Sequence, residues 1–285
     1  MMMLPGVILL FIFSIIPLIG STIAFQNFMP GRGFFGSPWV GFAHFRMIFE
    51  LQNTLRVIWN TVAISLMKML VHFPVQIIFA IAINEVRNLK TKKIIQTSVY
   101  LPHFISWVIL GEIISYMLAG DGILNHFLNL FGRESIFLLE MDNAFRYVLV
   151  FSDLWKGFGF GAIIYIATLS SINPMLYEAC VIDGGNKWHQ IRYITLPGLK
   201  PVITLVMLLS LGGIFNAGFD QVFNLYNPLV YHSGDILDTF MYRTGLLNMH
   251  YSFAAAMGLF RSLISFTLVA GTYILSYKIA DYRII

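Results

Sequence analysis

Apolar residues in this chain come in long runs broken by polar stretches, and do not alternate residue by residue. Six runs, at about 4–25, 57–83, 99–119, 147–170, 199–218 and 254–277, reach the roughly 20 helical residues that cross a hydrocarbon core of about 30 Å. They are too long and too weakly alternating for barrel strands of about 10 residues. The pattern predicts an all-α polytopic membrane protein, one domain with six transmembrane helices. The first run follows no charged segment and carries no small-residue cleavage pattern, so it reads as a retained span. The chain starts almost inside that span, which leaves a longer N-terminal tail open.

Composition agrees. Of 285 residues, 58% are hydrophobic and 11% charged, against about 25% charged in soluble domains. Basic residues crowd one set of loops: Arg87, Lys90, Lys92 and Lys93, then Lys187, Arg192 and Lys200, then Lys278 and Arg283. The opposite set holds Arg32, Arg46, Arg56, Arg133, Arg146 and Arg243 over longer loops, with most of the acids. Basic loops stay inside, so both termini and the 171–198 loop are expected in the cytoplasm. Lys90, Lys92 and Lys93 beside a span suit anionic lipid; the pI near 9.1 does not imply nucleic acid. The lone Cys180 is a free thiol without an internal disulfide partner.

The 171–198 loop has internal order. In "NPMLYEACVIDGG", Asn173 suits an N-cap, Pro174 the first helical position and Gly184 an αL terminator. In "GNKWHQIRYITLP", Trp188, Ile191 and Ile194 share a face, and Pro197 ends that helix or opens the next span. A helix–turn–helix follows, either resting on lipid as a connector or serving as a docking site.

Glu178-Ala179-Cys180, three residues, Gly184, nine residues, Ile194, one residue and Leu196-Pro197 resembles the EAA motif of ABC-importer permeases, with Cys180 where the family usually has Ala. "YLPHFISWVILGEII", "AGFDQVFNLYNPLVY" and "DTFMYRTGL" look similar to the carbohydrate-uptake branch, in the subgroup for complex oligosaccharides and polysaccharide fragments. The resemblance implies a coupling loop of Tyr177, Glu178, Ala179, Cys180, Asp183, Gly184, Gly185, Trp188, Ile194, Leu196 and Pro197. It implies partners as well: a second related permease, two cytoplasmic ABC ATPases, an extracytoplasmic solute-binding protein and a saccharide substrate. No G-x-x-x-x-G-K-[ST] occurs in the chain, so ATP and Mg are expected on the ATPase and no cofactor here. The resemblance implies a transport subunit and not an enzyme.

Ionisable groups inside spans cost about 2.5–3.5 kcal/mol at a helix centre and usually face a protein interior or water. Thr61, Ser65, Lys68, His72 and Gln76 lie on one helical face of the second run, either a pore-facing stripe or a polar seam, with Pro74 expected to kink it. In the fourth run Asp153 and Lys156 are spaced to neutralise each other, Trp155 suits a sugar ring or the interfacial aromatic belt, and Gly157 and Gly161 form a GxxxG packing motif. After the fifth run, Asn216, Asp220, Gln221, Asn224 and Tyr226 could pair with sugar hydroxyls or only cap a helix. These residues and the 153–156 group form the expected substrate path. Glu112 and Arg261 are expected in intramembrane or inter-subunit pairs. No metal-ligand spacing, nucleophile–base pair, G-x-S-x-G or H-E-x-x-H occurs. The competing reading is an ion-coupled transporter or channel using Lys68, Glu112 and Asp153, which has no need of a docking loop. A membrane enzyme acting on lipid or glycan lacks its catalytic groups.

Overall fold

A computed structural model describes residues 3–280, with side chains to 274. Lys278 and Arg283, used above for orientation, lie outside the residues whose side chains are described. The described chain is helical, with one isolated bridge between Gln26 and Trp39. Twelve helices matter for function: α1 Leu4–Phe25, α2 Ala43–Glu50, α3 Gln52–Glu85, α4 Leu89–Tyr100, α5 Trp107–Leu118, α6 Ile123–Leu130, α7 Asp142–Ser171, α8 Pro174–Ile182, α9 Lys187–Gly212, α10 Phe219–Leu225, α11 Leu237–Tyr242 and α12 Tyr251–Ala280. Six segments, α1, α3, Trp107–Leu130, α7, α9 and α12, are long and apolar enough to cross a membrane.

Two expected spans need correction. The run at 99–119 is two elements: α4 ends at Tyr100, a single 3-10 turn covers Leu101–Phe104, and α5 starts at Trp107. Hydropathy is blind to this break, but Pro102 and the Ser106 N-cap, whose hydroxyl accepts from the Ile109 amide at 3.3 Å, set it locally. The run at 199–218 ends at Gly212, and its helix begins at Lys187. A π-helical turn at Ile191–Thr195 carries the helix past Pro197, so Pro197 neither stops a loop helix nor starts a separate span. Pro74 likewise lies within one continuous α3.

The helix α3 organises the bundle. At 34 residues it is about 50 Å long, and all three cores use it. At one end Val57 joins Ala24, Ile48, Leu237 and Met257. Next, Ile64 joins Phe145, Leu149, Val222 and Ile236. At the other end Ala80 joins Ala162, Tyr165, Leu169 and Leu199. α3 also packs along α7, and the glycines of α7 make the approach close. A Cβ at Gly161 would sit 2.2 Å from Gln76 Nε2, one at Gly157 3.1 Å from His72 Cε1, and one at Gly159 2.6 Å from the Val99 carbonyl of α4. The expected GxxxG packing is seen, and it seats polar α3 side chains against α7.

Candidate functional site: a polar cleft and an exposed loop

Between α3, α7 and α9 lies a cavity of about 820 Å³. Ser65, Lys68, His72 and Gln76 of α3 line it, facing Asp153 and Phe160 of α7, Ser210 of α9 and Asn216 just beyond α9. The polar stripe of α3 divides into two parts. Thr61, at the top, is a seam: its hydroxyl donates to the Val57 carbonyl at 2.7 Å and accepts from the Leu237 amide at 2.8 Å. From Ser65 onward the stripe faces the cleft.

The charges in the cleft form a connected set. Asp153 Oδ2 lies 3.1 Å from His72 Nε2, and Oδ1 lies 3.7 Å from Lys68 Nζ. Lys68 donates to the Ala217 carbonyl at 2.7 Å and to Gln221 Oε1. Gln76 Nε2 is 3.2 Å from His72 Nδ1. The buried ammonium thus reaches a carboxylate and two neutral acceptors, which offset part of the cost of taking it out of water.

The expected Asp153–Lys156 neutralisation does not form. Lys156 turns away and donates to the carbonyls of Pro102, His103 and Ile105. The α4–α5 break frees the His103 and Ile105 oxygens, the Pro102 oxygen also accepts from the Ile105 amide at 3.2 Å, and an ammonium with three donors is suited to collect them. Trp155 is 50% exposed and lines no cavity with the stripe.

The residues after α9 separate into two groups. Asn216 faces the cleft and Asp220 is exposed. Gln221 is buried and structural, donating to the Leu149 carbonyl and Ser152 Oγ, each at 2.7 Å. Asn224 caps locally on the Asp220 carbonyl at 2.7 Å. Tyr226 packs against Tyr231 with the rings tilted and their centroids 5.2 Å apart. Arg261 pairs with Asp238, as expected of an intramembrane charge; burial nevertheless raises the Asp238 carboxyl above its usual range, against the pull of Arg261.

Sequence reading missed a second network at the far end of α3. Arg146 donates to the Ser233 carbonyl at 2.9 Å and to Asn60 Oδ1 at 2.7 Å. Asn60 in turn donates to the His232 and Asp235 carbonyls. Asp142 accepts from the Ser233 amide at 2.9 Å. Arg243 pairs with Asp235 at 2.5 Å and lies 4.2 Å over Tyr231. Burial disfavours its charge, but the hydrogen bonds and charge of Asp235 outweigh burial and hold the guanidinium above its usual value. The only signal was that Asn60 stands within an apolar run and Arg146 at the edge of one.

At the opposite end, α8 and the start of α9 form a helix–turn–helix. Asn173 caps α8 through the Met175 amide at 3.0 Å, and Asn186 caps α9 in a capping box with His189. Gly184 has φ +79°, the left-handed region that glycine adopts without strain. Gly185 packs on Cys180, where a Cβ would come within 2.4 Å of Sγ. Tyr177 Oη meets Thr195 Oγ1 at 3.1 Å, and Gln190 reaches back to the Tyr177 carbonyl, so α8 is tied to the π turn of α9. Lys187 pairs with Glu85, at the end of α3, at 2.8 Å. Glu178, Ala179, Asp183, Trp188, Leu196 and Pro197 are exposed, whereas Ile194 is half-buried. Of the expected loop 171–198, residues 172–186 connect α7 to α9, while Trp188, Ile194, Leu196 and Pro197 belong to the start of α9 itself. Among the described residues, no group of three or more His, Cys, Asp or Glu could hold a metal ion.

Comparison with known proteins resolves the family. The chain is 36% identical over 270 residues to the polygalacturonan/rhamnogalacturonan transport system permease protein YteP of Bacillus subtilis, covering 94% of this chain and 84% of that one. A crystal structure of a bacterial ABC transporter involved in import of the acidic polysaccharide alginate superposes with TM-score 0.91 at 36% identity, over 98% of this chain and 94% of the matched one. A second structure, the bacterial alginate ABC transporter with an alginate pentasaccharide-bound periplasmic protein, gives 0.91 at 35%, over 99% and 95%. Residues 76–280 match the model of the binding-protein-dependent transport system inner membrane component. The loop, the break after α4 and the cleft all lie in or beside that matched region, and the chain belongs to this family of ABC-transporter permeases.

Proposed function

We propose that the chain is the membrane-spanning permease of an ATP-driven importer for oligosaccharide or polysaccharide-derived cargo, and that it forms half of the translocation path. The exposed helix–turn–helix carries this reading. Met175, Ile182 and Trp188 are 68%, 85% and 62% exposed on α8 and the first turn of α9, which are braced by caps, a glycine turn and the Tyr177–Thr195 contact. A lipid connector needs no such bracing; a handle gripped by a motor does. Tyr177, Glu178, Ala179, Cys180, Asp183, Gly184, Gly185 and Trp188 form the docking face for a separate cytoplasmic ATPase, which binds ATP and Mg. Ile194, Leu196 and Pro197 carry the movement into α9. This orientation puts both termini in the cytoplasm of a bacterial cell.

The cleft is then the chain's share of the path. Asp153, His72, Gln76, Ser210 and Asn216 offer hydrogen bonds to sugar hydroxyls, and the Phe160 ring offers a stacking face. A second permease closes the open side, and a solute-binding protein delivers cargo at the Arg146–Asp142 end. The names of the relatives supply the saccharide class. The test is reconstitution of the purified assembly with its binding protein in vesicles. ATP-dependent uptake of oligouronides or neutral oligosaccharides supports the reading; uptake driven by an ion gradient without ATP overturns it.

A further inference from the structure

The helix α5 has two faces of opposite character. One is packed: Leu110 and Gly111 are buried, and a Cβ at Gly111 would come within 2.8 Å of the Asn224 Cβ on α10. The other is bare. Val108, Ile109, Ile113 and Tyr116 are 60%, 58%, 46% and 69% exposed, and the exposed Glu112 stands among them. Glu112 is near the midpoint of the helix, where a side chain this short cannot reach either end. Among the described residues, no ion pair includes it.

We infer that this face of α5 is the seam with the second permease subunit, and that Glu112 accepts a hydrogen bond or ion pair from a donor side chain on that subunit. The inference rests on the importer reading, which supplies the second subunit. Lipid does not suit the face, because acyl chains offer the carboxylate nothing. A water-filled path does not suit it either: three of its five residues are aliphatic and a fourth is the largely apolar ring of Tyr116, whereas the cleft presents a polar stripe. A facing helix meets both demands, packing on the apolar residues and supplying one donor. The facing segment therefore carries Lys, Arg, His or a neutral donor opposite Glu112.

The test uses the whole assembly, purified from native membranes in mild detergent. Wild type is compared with Glu112→Leu and Glu112→Gln, and a third sample carries the photo-crosslinker p-benzoylphenylalanine in place of Tyr116. Losing a hydrogen bond to a charged group should lower recovery of the second permease at least about tenfold in Glu112→Leu. Glu112→Gln, which can still accept a hydrogen bond, should keep most of it. Illumination should join position 116 to the second permease. If Glu112→Leu is poorly inserted, the crosslink from the otherwise wild-type chain decides alone. Full recovery of the second permease in Glu112→Leu, or adducts at 116 with lipid only, overturns the inference. So does normal recovery with a raised KM for saccharide, which would place Glu112 on the cargo path. Absence of a second permease from wild-type material overturns the importer reading itself, and is distinguishable for that reason.

Discussion

The two ends of α3 handle polar and apolar groups in opposite ways. Around Asn60, polar side chains find partners within the chain: Arg146 and Asp142 are hydrogen-bonded across elements far apart in sequence, Asn60 donates to the Asp235 carbonyl and Thr239 to the Asp235 carboxylate, and Ile236 and Leu237 are buried beneath them. Around Glu85, about 37 Å further along the helix, the helix–turn–helix leaves Met175, Leu176, Val181, Ile182 and Trp188 exposed. A region that satisfies itself is scaffold. One that is braced in shape but leaves apolar side chains bare is shaped for something else, since such patches mark interaction sites.

That contrast can be broken experimentally. The largest effect is expected from Gly184→Asp. A Cβ there meets nothing within 4 Å, so folding survives, but a left-handed backbone costs an L-residue about 1–2 kcal/mol, and the turn relaxes at the docking face. Uptake and saccharide-stimulated ATP hydrolysis in vesicles should fall to background with the protein still in the membrane; unchanged uptake would remove the loop from the coupling path. Arg146→Ala should do the reverse. It strips charge-assisted hydrogen bonds from the Ser233 carbonyl and Asn60, at about 1.5–3 kcal/mol each, so the melting temperature in detergent should drop clearly while the ATPase still co-purifies. Asp153→Asn sharpens the reading of the middle of α3. Lys68 keeps Ala217 and Gln221, so the fold should hold while the KM for saccharide uptake rises several-fold; a KM at the wild-type level would make the cleft charges purely structural. The smallest effect belongs to Lys187→Ala. Its pair with Glu85 is exposed, and such pairs contribute about 1 kcal/mol or less, so thermal stability should barely move.

Sequence and structure part company where information is local to one and not to the other. The six spans, the Asn173 cap and the Gly184 turn were legible, because hydropathy, capping chemistry and left-handed geometry are properties of a few neighbouring residues. The family resemblance was legible through the spacing of Glu178, Gly184 and Pro197. The α4–α5 break was hidden because Leu101–Phe104 is as apolar as its surroundings, and only Pro102 and Ser106 marked it. The Lys156 partners followed from that break and could not be seen without it. Gln221 looked like a sugar ligand but is committed to Lys68, Leu149 and Ser152, a fact of tertiary packing. The Asn60–Arg146 pairing joins residues 86 positions apart and left no periodic trace.

The central claim is that the loop after α7 is the handle of an ATP-driven motor. It is tested most directly by affinity purification of the chain from native membranes, wild type beside Glu178→Lys, with mass spectrometry of what co-elutes. The exposed Glu178 makes no hydrogen bond or ion pair among the described residues, so the reversal of charge should leave the fold intact. The account predicts an ATPase and a second permease with the wild type, and loss of the ATPase alone in Glu178→Lys. Recovery of the ATPase in equal amount with both would contradict it.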